Sequence, residues 1–143
     1  MPATIISIAY IDRYTHICYS ISMNDKPNFQ TYTRKNGVNE FNDFIASLPT
    51  KDADKLVALI RVIESEGMLT AFRQQWIKRV DSDIFEIRSK VSSNIQRVLY
   101  FHKRGNEYII THGFTKKSQK TPSAEIDKAH RILKEWRDEY VNH

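Results

Sequence analysis

Residues 76–80, 84–91, 95–103 and 107–114 are four runs rich in apolar, β-branched and aromatic residues, separated by three residues each, with Asp81-Ser82, Ser92-Ser93 and Arg104-Gly105-Asn106 marking the turns. Runs of this composition bounded by turn residues read as strands. The connections are too short to hold crossover helices, so an antiparallel meander is expected. Upstream, Val38, Phe41, Ile45 and Leu48 fall at helical spacing, and Pro49 ends that run. Thr50 stands where an N-cap belongs; Leu56, Val57, Ile60 and Ile63 form the next stripe, closed by Gly67. Two short helices at a Leu-Pro break imply an N-terminal αα-hairpin with its apolar faces on the sheet. Thr121 is expected to cap a last helix with Pro122 at its first position, striped by Ile126, Ala129, Leu133, Trp136 and Tyr140. The expected fold is α+β, an antiparallel twisted sheet of four to six strands with that hairpin and a C-terminal helix on one of its faces.

The chain has 143 residues, which fits one domain over residues 1–143. Residues 1–35 read as an extended, β-rich N-terminal segment. Within it, 4–10 and 17–21 are expected to pair through Asp12-Arg13-Tyr14, and 29–34 forms a further strand. The single cysteine, Cys18, excludes a disulfide framework within the chain and a cysteine-based zinc site, and reads as buried and inert. His16, His130 and His143 are too scattered for a metal centre, so no metal or cofactor is expected. No run approaches the roughly 18 apolar residues of a membrane span. The start carries no basic signal-peptide region, so a cytoplasmic location without membrane contact is expected.

Charge narrows the function. Net charge is +5, yet residues 1–60 balance at six basic and six acidic side chains. Residues 72–120 hold eleven basic against four acidic, +7 in a third of the chain. A basic stripe interleaved with Tyr, Phe and His on strands suits a ligand with a phosphate backbone, although a solvated lysine-rich face has the same composition. Alternation puts Glu86, Arg88 and Lys90 on one sheet face, expected to be the open one, opposite Phe85, Ile87 and Val91.

Three strings carry a resemblance: Ile84-Phe85-Glu86-Ile87-Arg88, Arg97-Val98-Leu99-Tyr100-Phe101, and the run from His112 through Lys116-Lys117 to Lys120-Thr121-Pro122. They resemble the phage-derived HigB-like branch of the RelE/ParE toxin superfamily, over roughly residues 38–140. The resemblance implies a RelE-like fold and a toxin of a type II toxin–antitoxin module. Toxins of this branch cleave messenger RNA on the ribosome. The implied partner is a small helix-turn-helix, HigA-like antitoxin in a toxin–antitoxin hetero-oligomer. A ParE-like, non-enzymatic inhibitor of DNA gyrase, or a non-toxic phage-derived nucleic-acid-binding protein, is the alternative on the same fold.

RNA cleavage needs no metal when the 2′-OH attacks the adjacent phosphate; the protein must stabilise a pentacovalent dianion and move two protons. Arg97 matches the superfamily's strand arginine and is the expected phosphate clamp. Lys117 is assigned to transition-state charge, with Arg88, Lys116, Lys120 and Lys78 as further phosphate contacts. His112 is the expected proton-transfer residue and His102 the alternative, since only histidine titrates near neutrality unperturbed. Tyr100 is a stacking candidate, against the plainer reading of a core aromatic. The chain departs from the best-known ribosome-dependent relative, which has lysines where Ile84 and Glu86 stand here and a tyrosine near Ile126.

Overall fold

A computed structural model describes residues 7–11, 18–22, 26–117 and 120–140. In chain order the elements are β1 (Ser7–Ile11), β2 (Cys18–Ser22), β3 (Asn28–Thr31), α1 (Glu40–Ser47), α2 (Thr50–Glu66), α3 (Met68–Arg73), β4 (Ile77–Arg79), β5 (Phe85–Val91), β6 (Asn94–Arg104), β7 (Glu107–Lys116) and α4 (Ser123–Tyr140). β1 and β2 pair antiparallel as their own two-stranded sheet, Ser7 opposite Ser22. The turn expected between them, and the side chains of His16 and Cys18, lie outside the described residues.

The main sheet has five strands in the order β3-β7-β6-β5-β4. β4 to β7 form the expected meander, with Arg88 opposite Arg97 and Arg97 opposite Phe114. β3 corrects the all-antiparallel expectation: it runs parallel to β7, Phe29 beside Tyr108, so the sheet is mixed. The three helices between β3 and β4 carry the chain far enough to change its direction, which a count of short turns cannot reveal.

The helices also differ in placement. α1 is capped by Asn39, whose side chain accepts from the Asn42 N–H at 3.0 Å, and it packs on β7. α2 packs chiefly on β5. Its N-cap position is Pro49, with Thr50 already helical and no side-chain cap. Gly67, at φ 94°, ends α2 and starts α3 at once; six residues are too few to show a helical period. α4 starts one residue later than expected: Pro122 C=O accepts from the Glu125 and Ile126 N–H groups, and the Thr121 hydroxyl donates instead to Glu86.

Both sheet faces are covered, against the expectation of one open face. On one, Leu56, Ile60, Ile63, Met68 and Ala71 meet Phe85, Ile87, Val98, Tyr100 and Ile110. On the other, Ala129, Ile132, Leu133 and Trp136 of α4 meet Ile84, Leu99, Phe101 and Ile109. Each fully buried Leu, Ile or Phe contributes about 1.5–3 kcal/mol. The expected open face is the α4 face, and Glu86 on it is only 2% exposed. Tyr140, expected in the stripe, is 60% exposed, although its ring stays near Trp136 and Tyr32.

α1 approaches β7 at a glycine. A Cβ on Gly113 would overlap the Phe44 ring, so this close approach depends on a missing side chain. Gly113→Ala is expected to lower stability by about 1–3 kcal/mol, and Gly113→Ala with Phe44→Leu to recover part of it. Urea midpoints of the two variants check this; equal losses would assign the cost to the backbone instead.

A candidate anion-binding groove at one end of the sheet

Arg88, Arg97 and Lys116 share the α4 face of the sheet without joining the helix's apolar cluster, against which Phe114, opposite Arg97, packs. A groove of about 980 Å³ opens where β6 starts and β7 finishes. Arg88, Lys90, Arg97, Lys116 and Lys117 line it, and none of its described lining side chains is acidic. Five of the eleven cations between residues 72 and 120 therefore converge here.

Arg97 is the most enclosed of them at 6% exposed. Its Nη1 donates to Gln96 O at 3.2 Å, while Nε makes no hydrogen bond and lies 3.5 Å from Glu86 Oε1. Burial pushes the guanidinium pKa down, the Glu86 charge opposes that, and Arg88 adds to the depression. Glu86 is the counter-charge sequence reasoning missed. Its Oε1 also faces Arg88 Nε at 3.6 Å, and its Oε2 accepts from Thr121 Oγ1 at 2.6 Å. One buried carboxylate thus holds two arginines and the end of the lysine-bearing loop that leads into α4. The signal was present, since Glu86 alternates with Arg88 in a basic stretch, but the alternation was assigned to solvent.

Lys116 is 7% exposed. Burial lowers its pKa first, then the like charge of Arg97; Glu86 opposes, and Arg88 and Lys78 add to the lowering. Lys78 is the cross-strand partner of Glu86 and shares its face, outside the groove lining. Lys117, exposed just past β7, lines the groove with Arg97, so the expected pair is brought together. Lys120 is exposed next to Thr121 and not part of the lining.

The remaining candidates lie elsewhere. Tyr100 is fully buried on the opposite face, stacked 5.5 Å from Phe85 with Phe29 and Tyr108 edge-on. That is the core reading, and no base can reach the ring. His112 is 1% exposed, its Nε2 2.7 Å from Glu125 Oε2 and its Nδ1 3.1 Å from Thr111 Oγ1. It shares the face of Arg97 but is not part of the groove lining. His102 is exposed near the far end of β6, bonded to Gly105 O at 2.8 Å. Among the described residues no three His, Cys, Asp or Glu side chains gather to hold a metal ion, and no helix is long and apolar enough to cross a membrane. Gln74, Gln75, Asn94 and Thr115 also line the groove. Only the fold reveals them, because they come from three separate places in the chain.

Helices on both faces of a small mixed sheet, with a cationic groove at one end of it, give a fold with the shape and charge to receive an anionic ligand. The chain belongs to the family described as phage derived protein Gp49-like (DUF891), whose model matches residues 43–134. That family is part of the RelE/ParE-like toxin family in general and is associated with RelE-type toxins of toxin–antitoxin systems. No curated protein matches the chain.

Two stability predictions follow from these pairings. Glu86→Ala leaves Arg97 buried without its counter-charge and is expected to cost about 3–5 kcal/mol. Adding Arg97→Met should return a large part of that loss, read as the coupling in a double-mutant cycle of urea midpoints; additive losses would rule out the pair. Burial is the main cause holding the His112 imidazole below its ordinary 6.5, with the Glu125 bond opposing. The fold therefore prefers the neutral ring. Its contribution is complete above about pH 6.5 and declines as pH falls toward the folded-state value. The urea midpoint should fall between about pH 7.5 and 5.5, and less steeply in His112→Gln; parallel profiles would remove His112 as the cause.

Proposed function

We propose that this chain is a HigB-like toxin that cleaves messenger RNA on the ribosome, with the groove as its phosphate site. The observation that carries the reading is the convergence of five cations, one of them the enclosed Arg97, in a groove whose described lining holds no carboxylate. A phosphodiester is the ligand such a lining favours, because positioned cations offset the charge that grows on phosphorus during displacement.

In this mechanism the 2′-OH attacks the adjacent phosphorus and gives its proton to a water in the open groove, the 5′-oxygen leaves, and a 2′,3′-cyclic phosphate remains. Arg97, a lining residue of the groove, binds non-bridging oxygens there, held in place by Glu86 at Nε and the Gln96 carbonyl at Nη1. Lys117 and Arg88 add charge to the pentacovalent state. We assign the proton for the leaving 5′-oxygen to Lys116, whose lowered pKa suits an ammonium group that must release it. His112 is a positioning residue here: its bond to Glu125 ties β7, which ends in Lys116, to the first turn of α4. Lys78 and Lys120 support the backbone of a longer RNA. The partner is a HigA-like helix-turn-helix antitoxin that shields the groove, and the site of action is the cytoplasm.

Induction of the protein alone is expected to arrest growth, and Arg97→Ala or Lys117→Ala to relieve the arrest. Primer extension should map in-frame transcript cuts in the parent that are absent from both variants. If both variants fold and remain as toxic as the parent, the RNase reading is wrong. Gyrase-linked DNA breaks in place of transcript cuts would move the chain to the ParE-like inhibitors.

A further inference from the structure

The neutral part of the groove carries a hydrogen-bond direction fixed from beneath. By alternation, Gln96 and Thr115 belong to the sheet face away from α4, where α2 packs. Asp52 of α2 is 3% exposed, and its Oδ2 accepts from Asn94 Nδ2 and from Gln96 Nε2, both at 3.1 Å. Gln96 is 1% exposed, and its Oε1 accepts from the Thr115 hydroxyl at 2.8 Å. A carboxylate has no hydrogen to give, so both amides must turn their NH₂ groups toward it. The Gln96 oxygen then faces Thr115, and the only hydroxyl hydrogen of Thr115 is used in meeting it. Thr115 Oγ1 is left with lone pairs only, on an exposed residue that lines the groove beside Lys116 and Lys117, while Asn94 beside it keeps its Oδ1 lone pairs and a second amide hydrogen.

We propose that this wall is a base-reading subsite that accepts from the exocyclic amine of adenine or cytosine in single-stranded RNA and disfavours uracil. The inference rests on the groove being an RNA site, as argued above. Adenine N6 and cytosine N4 carry hydrogens at the edge where uracil carries O4, so uracil would set lone pair against lone pair. A site built to hydrogen-bond one group rejects the analogue lacking it, since the polar atoms of the site are left unmatched. Gln74 and Gln75 have no such constraint and contribute affinity without choosing a base. Asp52 and Gln96 act through Thr115 and are positioning residues.

The test uses the full chain and fluorescein-labelled 2′-O-methyl hexamers of A, C and U, which resist cleavage, in fluorescence anisotropy at low salt. The A and C hexamers are expected to bind about five- to tenfold tighter than the U hexamer, at the low end of base discrimination. Thr115→Val should bring the three affinities together while leaving the salt dependence supplied by the lysines intact. Asp52→Asn, which can donate and so permits the chain of bonds to reverse, should weaken the preference with Thr115 still present. Circular dichroism confirms that each variant is folded. Equal binding of the three hexamers by the parent, preference for U, failure to bind any hexamer, or a preference unchanged in folded Thr115→Val would each overturn the subsite. Relief of arrest and loss of cuts in Arg97→Ala are read separately, so the RNase reading can stand when this one falls, and the reverse.

Discussion

The buried carboxylate of Glu86 is the constraint on which the rest of this site depends. A guanidinium as enclosed as that of Arg97 keeps its charge, and burying that charge is costly unless a counter-charge lies close by. Glu86 supplies it at 3.5 Å, and its second oxygen takes the Thr121 hydroxyl that ends the loop after β7. As a contribution to stability such a pair roughly cancels its own desolvation. Its use is geometric: one fully enclosed side chain fixes where an arginine points and where a lysine-bearing loop must end. An apolar residue at position 86 would pack as well under α4 and do neither.

The pair leaves the groove incompletely neutralised, and that is energetically uneven. Glu86 faces Arg97 and Arg88, while Lys116, Lys78, Lys90 and Lys117 add positive charge nearby without a carboxylate in the groove lining. The lowered pKa of Lys116 registers this, as burial and three neighbouring cations all act against its proton. Local conflict of this sort is what a functional site looks like in a fold otherwise consistent across its levels. Under the proposed function, an entering phosphate relieves the repulsion, and part of its binding energy comes from removing a strain already present in the free protein.

Legibility divides along the same lines. The meander, the break at Pro49 and the stripe of α4 were readable, because turn residues and apolar periods are local. Arg97 and Lys117 came from the resemblance, and the register brings both to one groove. The parallel pairing of β3 was not readable, since it depends on how far three helices carry the chain. Glu86 was misassigned to solvent because alternation says which residues share a face and nothing of what covers it. Tyr100 was ambiguous for the converse reason: within Val98-Leu99-Tyr100-Phe101 every side chain is apolar or aromatic, and both faces are buried.

Covering both faces of a sheet would ordinarily leave nowhere for a ligand, and charge explains why one place remains. The apolar stripe of α4 packs on Ile84, Leu99, Phe101 and Ile109, while Arg88, Arg97 and Lys116 on the same face stay outside that cluster. The groove opens where β6 starts and β7 finishes. There the alternation of the strands offers two kinds of side chain to one groove, Arg97 and Lys116 from the α4 face, Asn94 and Thr115 from the other. Cations hold a phosphate backbone without regard to sequence, and neutral groups of fixed hydrogen-bond direction distinguish bases. Under the proposed function, one groove therefore takes its cations and its neutral groups from alternate residues of the same two strands.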